Sequence, residues 1–416
     1  MITLYRPITL ALTLSKVLEH ILNRRLLTFT LQNNLLQEYQ TAFLPGKSTC
    51  DNILHATQII IDNFIIGNYI LAISLDIQQA FDRTWHSAIL HTLQPHVPAK
   101  FLQIIHSFLT DRQITLKFDN TIHNTSICQT QGVPQGSPIS PLLFNILMAT
   151  APAINNKHIQ THNYADDTFY ISSANTPQLT WTQLQPHINN FINWCNKYRL
   201  KIQAHKTTNT FFTRRKTTPS SAYPQITIQN THIERQKNIT ILGATLDIHM
   251  TLKQHIKRIT NNSLHTINKI RKIFTTHRQI PPYIGILLYK TLLRTKFTYA
   301  APLLTLIKPT TWRTLQHIEH RALRAAQRKG IRTRITRLYG LSKIQPIQDH
   351  YNKISKDTLL RIINTKNKRL LKTILSTQHK KQLVYTSPPL DQALHLFDSN
   401  TQQNLRTHIK KLFDPP

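Results

Sequence analysis

Tyr164-Ala165-Asp166-Asp167 stands about ninety residues after Leu75-Asp76-Ile77-Gln78-Gln79-Ala80-Phe81-Asp82, and these two acidic stretches decide how the chain reads. β-Branched and aromatic residues dominate Ala72-Ile73-Ser74-Leu75-Asp76 and Thr168-Phe169-Tyr170-Ile171-Ser172. That predicts a strand at each and a hairpin turn at the Asp pair. Three carboxylates, Asp76, Asp166 and Asp167, then converge at one sheet edge. Like-charge repulsion makes this costly unless divalent cations fill the gap, and hard oxygen donors select magnesium or manganese. Such a ligand set suits two-metal nucleotidyl transfer. Alone, an Asp-Asp pair reads as a solvated turn, so its company matters.

Between the clusters lies Gly132-Val133-Pro134-Gln135-Gly136-Ser137-Pro138-Ile139-Ser140-Pro141-Leu142-Leu143-Phe144-Asn145, where prolines and glycines set a loop ahead of an apolar helical run. In this order and spacing the three blocks resemble the palm of a reverse transcriptase, most closely the non-LTR (LINE-type, Jockey-like) retrotransposon polymerases. Tyr5-Arg6-Pro7-Ile8, Leu14-Ser15-Lys16-Val17-Leu18-Glu19 and Gln40-Thr41-Ala42-Phe43-Leu44-Pro45-Gly46-Lys47-Ser48-Thr49 are similar to that family's finger segments. The last is not a phosphate-binding P-loop, since Thr41 stands where the first glycine is required. Leu200-Lys201-Ile202 with Lys206-Thr207, and Ile241-Leu242-Gly243-Ala244-Thr245-Leu246-Asp247, match two further family blocks.

The resemblance implies an α/β (α+β) right-hand polymerase with partial fingers, a palm of antiparallel strands backed by helices, and a helical thumb. It implies that Asp76 and Asp166 hold magnesium or manganese with Asp167 beside them, that Arg6 and Gln135 contact the incoming nucleotide, and that Phe81 lies under its sugar and excludes a 2′-hydroxyl. Lys206 would be the general acid toward pyrophosphate, and Leu242 and Gly243 the primer grip. Asp82 lies outside the family's ligand position and reads as an anchor for a neighbouring loop. The implied partners are an RNA template, a DNA primer, their RNA–DNA hybrid and deoxynucleoside triphosphates (dNTPs).

Charge supports a polyanionic partner. The chain carries 51 Lys+Arg against 18 Asp+Glu, net +33. Residues 1–200 hold 12 basic and 10 acidic residues, while 201–416 hold 39 and 8, so the net +31 of the second half marks the grip and the near-neutral first half the chemistry. Between Leu252 and Phe274, Ile256, Ile259, Ile267 and Ile270 recur at helical spacing beside Lys253, Lys257, Arg258, Lys269, Arg271 and Lys272. Leu315, Ile318, Ala322 and Ala325 repeat the device beside Arg313, Arg321, Arg324 and Arg328, with Gly330 as the expected stop.

Cys50, Cys128 and Cys195 are odd in number and far apart, which argues against a disulfide framework or paired-cysteine zinc module and for a reduced, intracellular setting; the resemblance implies the nucleus or cytoplasm, as a ribonucleoprotein. No stretch reads as a membrane span, and Ile8–Leu14 reads as a finger helix rather than a signal peptide. The expected division is fingers and palm over 1–245, a thumb-like region over 246–345 and a basic helical tail over 346–416. The chain opens almost on the Arg-Pro-Ile segment, without the family's endonuclease or leading finger strand, so a 5′-truncated element or an incomplete gene model is expected. The alternative function is a catalytically inactive relic that only binds nucleic acid.

Overall fold

The computed structural model describes residues 8–118, 121–215, 219–277, 279–376 and 389–413. In chain order, α1 (Thr13–Gln32) and α2 (Thr49–Ile65) precede β1 (Tyr69–Leu75), and α3 (Ala80–Arg83), α4 (His86–Leu93) and α5 (Ala99–Leu109) follow it. The β2–β3 hairpin (Arg112–Phe118, Thr121–Gln129), α6 (Ser140–Met148), the β4–β5 hairpin (Ile159–Tyr164, Asp167–Ala174) and α7 (Pro177–Lys197) come next. Then come β6 (Thr208–Phe212), the short β7–β8 hairpin (Ile226–Ile228, Thr231–Ile233) and the β9–β10 hairpin (Asn238–Ile241, Ala244–Asp247). The rest is helical: α8 (Lys253–Thr276), α9 (Pro282–Leu288), α10 (Thr295–Thr298), α11 (Pro309–Ala326), α12 (Ile335–Ser342), α13 (Ile347–Asn364), α14 (Lys368–Ser376), α15 (Pro389–Leu394) and α16 (Ser399–Lys411).

Contacts divide the chain into two units: Met1–Ser48, Leu71–Asn209 and Thr218–Arg235 in the first, and Thr49–Ile70, Thr210–Thr217 and Gln236–Pro416 in the second. In the first, β4, β5 and β1 are neighbours in that order, and β6 begins beside β1. Ile70, Leu71, Ala72, Ile73 and Leu75 are all buried, the near-continuous apolar run of a strand covered on both faces. β5 is buried from Thr168 to Ser173 for the same reason. Ser140 and Pro141 open α6 at the position where a missing N–H costs nothing, and every described residue of α6 but Pro141 is buried. Thr176 caps α7 by accepting from the Leu179 N–H at 3.3 Å. Residues Ile8 to Leu12 are not helical, so α1 starts later than the sequence suggests.

In the second unit, Ile256, Ile259, Ile267, Ile270 and Phe274 of α8 and Leu315, Ile318, Ala322 and Ala325 of α11 are all buried, as their spacing requires. Gly285 lets α9 close against α11: a methyl group there would come within 1.9 Å of the Ala326 carbonyl oxygen. Arg328, not Gly330, takes the left-handed position after α11, with φ 53. The Lys329 N–H reaches the Arg324 carbonyl at 2.9 Å and closes the helix end. Glu319 is wholly buried and accepts from Tyr289 (2.8 Å), Tyr339 (2.6 Å) and the Ile347 N–H (3.0 Å), tying α11, α12 and α13 and the π-helical turn before α10 together. Desolvation nevertheless holds its carboxyl above the ordinary range.

α2 groups with this helical unit by its contacts. Leu54 shares a core with Leu359, Ile362, Ile363, Leu370, Leu371 and Leu390, and the buried Asp51 accepts from Arg361 Nη1 at 3.1 Å, so the described parts of α13, α14 and α15 share a core with α2.

Candidate active site

Asp76 stands directly after β1, and its place is set by backbone pairing on the far side. The Gln203 N–H donates to the Asp76 carbonyl at 2.8 Å and the Gln78 N–H to the Lys201 carbonyl at 2.8 Å, which fold residues 201–206 alongside. That brings Lys206 Nζ to 3.8 Å from Asp76 Oδ2, with both side chains partly exposed. The pair is a solvent-screened contact, useful for position more than for stability.

Asp166 sits in the two-residue turn between β4 and β5, whose last pairing is Tyr164 with Asp167. Ala165 holds φ 55 in this turn, a conformation that costs a residue with a Cβ of order 1 kcal/mol. Gln40 supports it: the buried side-chain Oε1 accepts from the Ala165 N–H at 3.1 Å and from the Ala42 N–H at 3.0 Å. Nothing in the sequence pairs Gln40 with a turn 125 positions away. Gln40→Leu strands two buried donors and is expected to lower the unfolding free energy by about 2 kcal/mol in urea titration. An unchanged midpoint and slope would remove Gln40 from this role.

Loop 132–137 is stapled to the turn that carries Phe81. The Gly132 N–H donates to the Thr84 carbonyl at 2.7 Å, the Val133 N–H to the Phe81 carbonyl at 2.8 Å, and His86 Nε2 meets the Gly132 carbonyl at 2.7 Å. Gln135 Nε2 donates to Asp82 Oδ1 at 2.7 Å, so Asp82 does anchor this loop. Glu19, buried in α1, accepts from Ser15 at 3.0 Å and from Ser137 at 2.5 Å and fixes the loop from its other side. Phe81 is half-buried and stacks on Phe144 of α6, with ring centroids 4.7 Å apart.

Asp76, Phe81, Asp82, Gln135, Asp166 and Lys206 line one cleft of about 750 Å³. Phe43 lines it too, half-exposed at φ 58 with its ring 6.4 Å from that of Tyr164, and the sequence reading had given it no role. Asp167 is exposed and does not line the cleft. Asp166 lies in the turn, whereas Asp167 is the first residue of β5. Arg6 lies outside the described residues. Leu242 and Gly243 belong to the helical unit and form the β9–β10 turn with φ 46 and φ 79, the two left-handed positions of a tight hairpin. A side chain on Gly243 would meet the Tyr299 ring at 3.3 Å, Tyr299 donates to the Leu242 carbonyl, and Arg258 donates to that of Gly243.

No group of three or more His, Cys, Asp or Glu side chains forms a ready-made cage among the described residues. The cleft still fits a hard divalent ion. Asp76 and Asp166 offer oxygen donors to one space, and magnesium is commonly held by one or two carboxylates with the substrate's phosphates completing its shell. Cys195 is no competitor: burial pushes its thiol up to about 12. Among the described residues no helix is long and apolar enough to cross a membrane.

The reverse transcriptase (RNA-dependent DNA polymerase) family profile matches residues 2–246. The chain is 27% identical over 327 residues to the probable RNA-directed DNA polymerase from transposon BS of Drosophila melanogaster, covering 77% of this chain and 36% of that protein. It is 25% identical over 296 residues to the RNA-directed DNA polymerase from mobile element jockey of the same fly, covering 70% and 32%. The chain therefore spans about a third of the length of these relatives. Among solved structures, telomerase from Candida tropicalis with a fragment of telomeric RNA aligns at 13% identity and TM-score 0.44, covering 97% of this chain and 57% of that one.

Proposed function

This chain belongs to the reverse transcriptase (RNA-dependent DNA polymerase) family, and from that premise we propose that it is the RNA-directed DNA polymerase of a non-LTR retrotransposon, transferring nucleotides from dNTPs to a primer 3′-hydroxyl. The observation that carries the reading is one cleft lined by Asp76 and Asp166 from neighbouring strands together with Phe81, Gln135 and Lys206. The O3′–Pα bond forms as the bond from the α-phosphorus to its bridging oxygen breaks, and pyrophosphate leaves. Asp76 and Asp166 would hold magnesium, with Asp167 adjacent; bound there, the metal supplies charge neutralisation and an acidified 3′-hydroxyl. Lys206, placed by residues 201–203 beside Asp76, gives a proton to the departing pyrophosphate. Gln135 and Arg6 hold the incoming nucleotide, Gln135 after exchanging its bond to Asp82 for one to substrate.

The template RNA and the growing hybrid lie along the basic second half, with residues 1–245 as fingers and palm, 246–345 as thumb and 346–416 as a basic helical tail, within a ribonucleoprotein inside the cell. Phe81 stacks on Phe144 and lines the cleft, which supports the reading that it would bound the sugar of the incoming nucleotide. The test is single-nucleotide incorporation opposite an RNA template. Phe81→Ala is expected to lower the preference for deoxy- over ribonucleotides at least roughly tenfold in kcat/KM, the scale of removing one steric exclusion. An unchanged preference would make Phe81 a packing residue only.

A further inference from the structure

Arg271 of α8, His317, Arg321 and Arg324 of α11, and Lys329 and Ile331 just beyond it enclose a cavity of about 490 Å³ in the helical unit. None of its four Lys and Arg side chains stands within 4.0 Å of a carboxylate among the described residues. Arg324 is pinned at one corner, with Nη2 donating to the Thr333 carbonyl at 3.3 Å, while its Nε is shielded from solvent without an acceptor. Burial, then Arg324 and His317, keep neighbouring His320 below its ordinary pKa. A concave cluster of guanidinium forks suits a phosphate oxyanion, which accepts two parallel N–H bonds from each.

Its distance from the β9–β10 turn identifies the phosphate. Arg258, near the start of α8, donates to the Gly243 carbonyl, and Arg271 lies thirteen residues further along the same unbroken helix, about 20 Å at 1.5 Å per residue. At the roughly 2.8 Å rise of an A-form hybrid, shorter than that of B-DNA, that span is about seven base pairs. We propose that the Arg271–Arg321–Arg324–Lys329 cavity seats one backbone phosphate of the RNA–DNA hybrid about seven base pairs behind the primer end. The inference rests on the polymerase reading, which places the primer end at Leu242–Gly243, and the cavity lies outside residues 2–246 that the family covers.

The consequence is a length threshold. A hybrid too short to reach the cavity binds through the primer-end contacts alone. With the full chain and hybrids of four to twelve base pairs at low salt, fluorescence anisotropy is expected to show about a tenfold gain in affinity between four and eight base pairs, the size of one charge-assisted phosphate contact. Arg271→Gln with Arg321→Gln, both at exposed positions, should remove that gain, leave the four-base-pair affinity as it was, and reduce the slope of log K against log salt by about one. Three results overturn the proposal: a smooth length dependence in the natural chain, equal loss at every length in the variant, or the same step with single-stranded RNA. Reversal of the step by millimolar inorganic phosphate in the natural chain and not in the variant adds support, whereas phosphate acting equally on both counts against it. Primer extension is read separately. A chain that shows the step but extends no primer sinks the polymerase reading, and one that extends primers without the step sinks the cavity alone.

Discussion

Asp166→Ala is expected to cut primer extension by roughly a thousandfold or more while hybrid affinity stays within about twofold. Asp166 lines the cleft from the β4–β5 turn, and the turn's backbone is held independently by Gln40 and by the Tyr164–Asp167 pairing, so loss of one carboxylate leaves the hairpin in place. On the proposed reading the grip lies in the other half of the sequence, where the net charge of +31 resides, so the phosphate contacts proposed there would not depend on the cleft. The variant's thermal midpoint should match that of the natural chain. Equal loss of binding and extension would mean that Asp166 organises the fold, and retained extension would remove it from the chemistry. Asp167→Ala provides the contrast, since Asp167 is exposed and stands outside the lining of the cleft. A smaller loss than for Asp166→Ala is expected, and an equal loss would show that the turn rearranges to bring both carboxylates in.

Gly285→Ala should destabilise the helical unit by about 3 kcal/mol, toward the upper end of what overpacking costs. The added methyl group meets the Ala326 carbonyl oxygen at 1.9 Å, the Ala326 carbonyl carbon at 2.7 Å and the Phe274 ring at 2.9 Å. Backbone cannot swing away as a side chain can, so α9 and α11 must separate along their whole contact. Separation also strains the ends of the buried Glu319 hydrogen bonds, because Tyr289 follows α9 directly. Urea unfolding of the variant, read by helical circular dichroism, gives the shift. A change under about 0.5 kcal/mol, the range of neutral surface substitutions, would show that the close approach is absent in solution.

The strands bearing Asp76 and Asp166 were legible because their signals are local: apolar runs, a short turn and a period of two. The amphipathic faces of α8 and α11 were legible for the same reason, their buried residues falling on one stripe. What pattern does not carry is the identity of the partner. Leu54 and Asp51 lie in a helix that looks like any buried helix near the fingers, and only packing shows that Leu359, Ile362 and Arg361 complete it. Gln40, Glu19 and Asp82 act through single hydrogen bonds across long stretches of chain, and a lone polar residue announces neither its burial nor its acceptor. Gly330 was the natural choice to end α11, yet Arg328 takes the left-handed position, because the tertiary position of the following turn outweighs the roughly 1 kcal/mol that glycine would save there.

The most direct measurement of the central claim is extension of a DNA primer on an RNA template by the purified chain, with dNTPs and magnesium, before and after chelation. The account predicts template-directed DNA synthesis that chelation stops, that added magnesium or manganese restores, and that Asp76→Ala and Asp166→Ala each lack. Synthesis that survives chelation, or an extension by either variant equal to that of the natural chain, would contradict it.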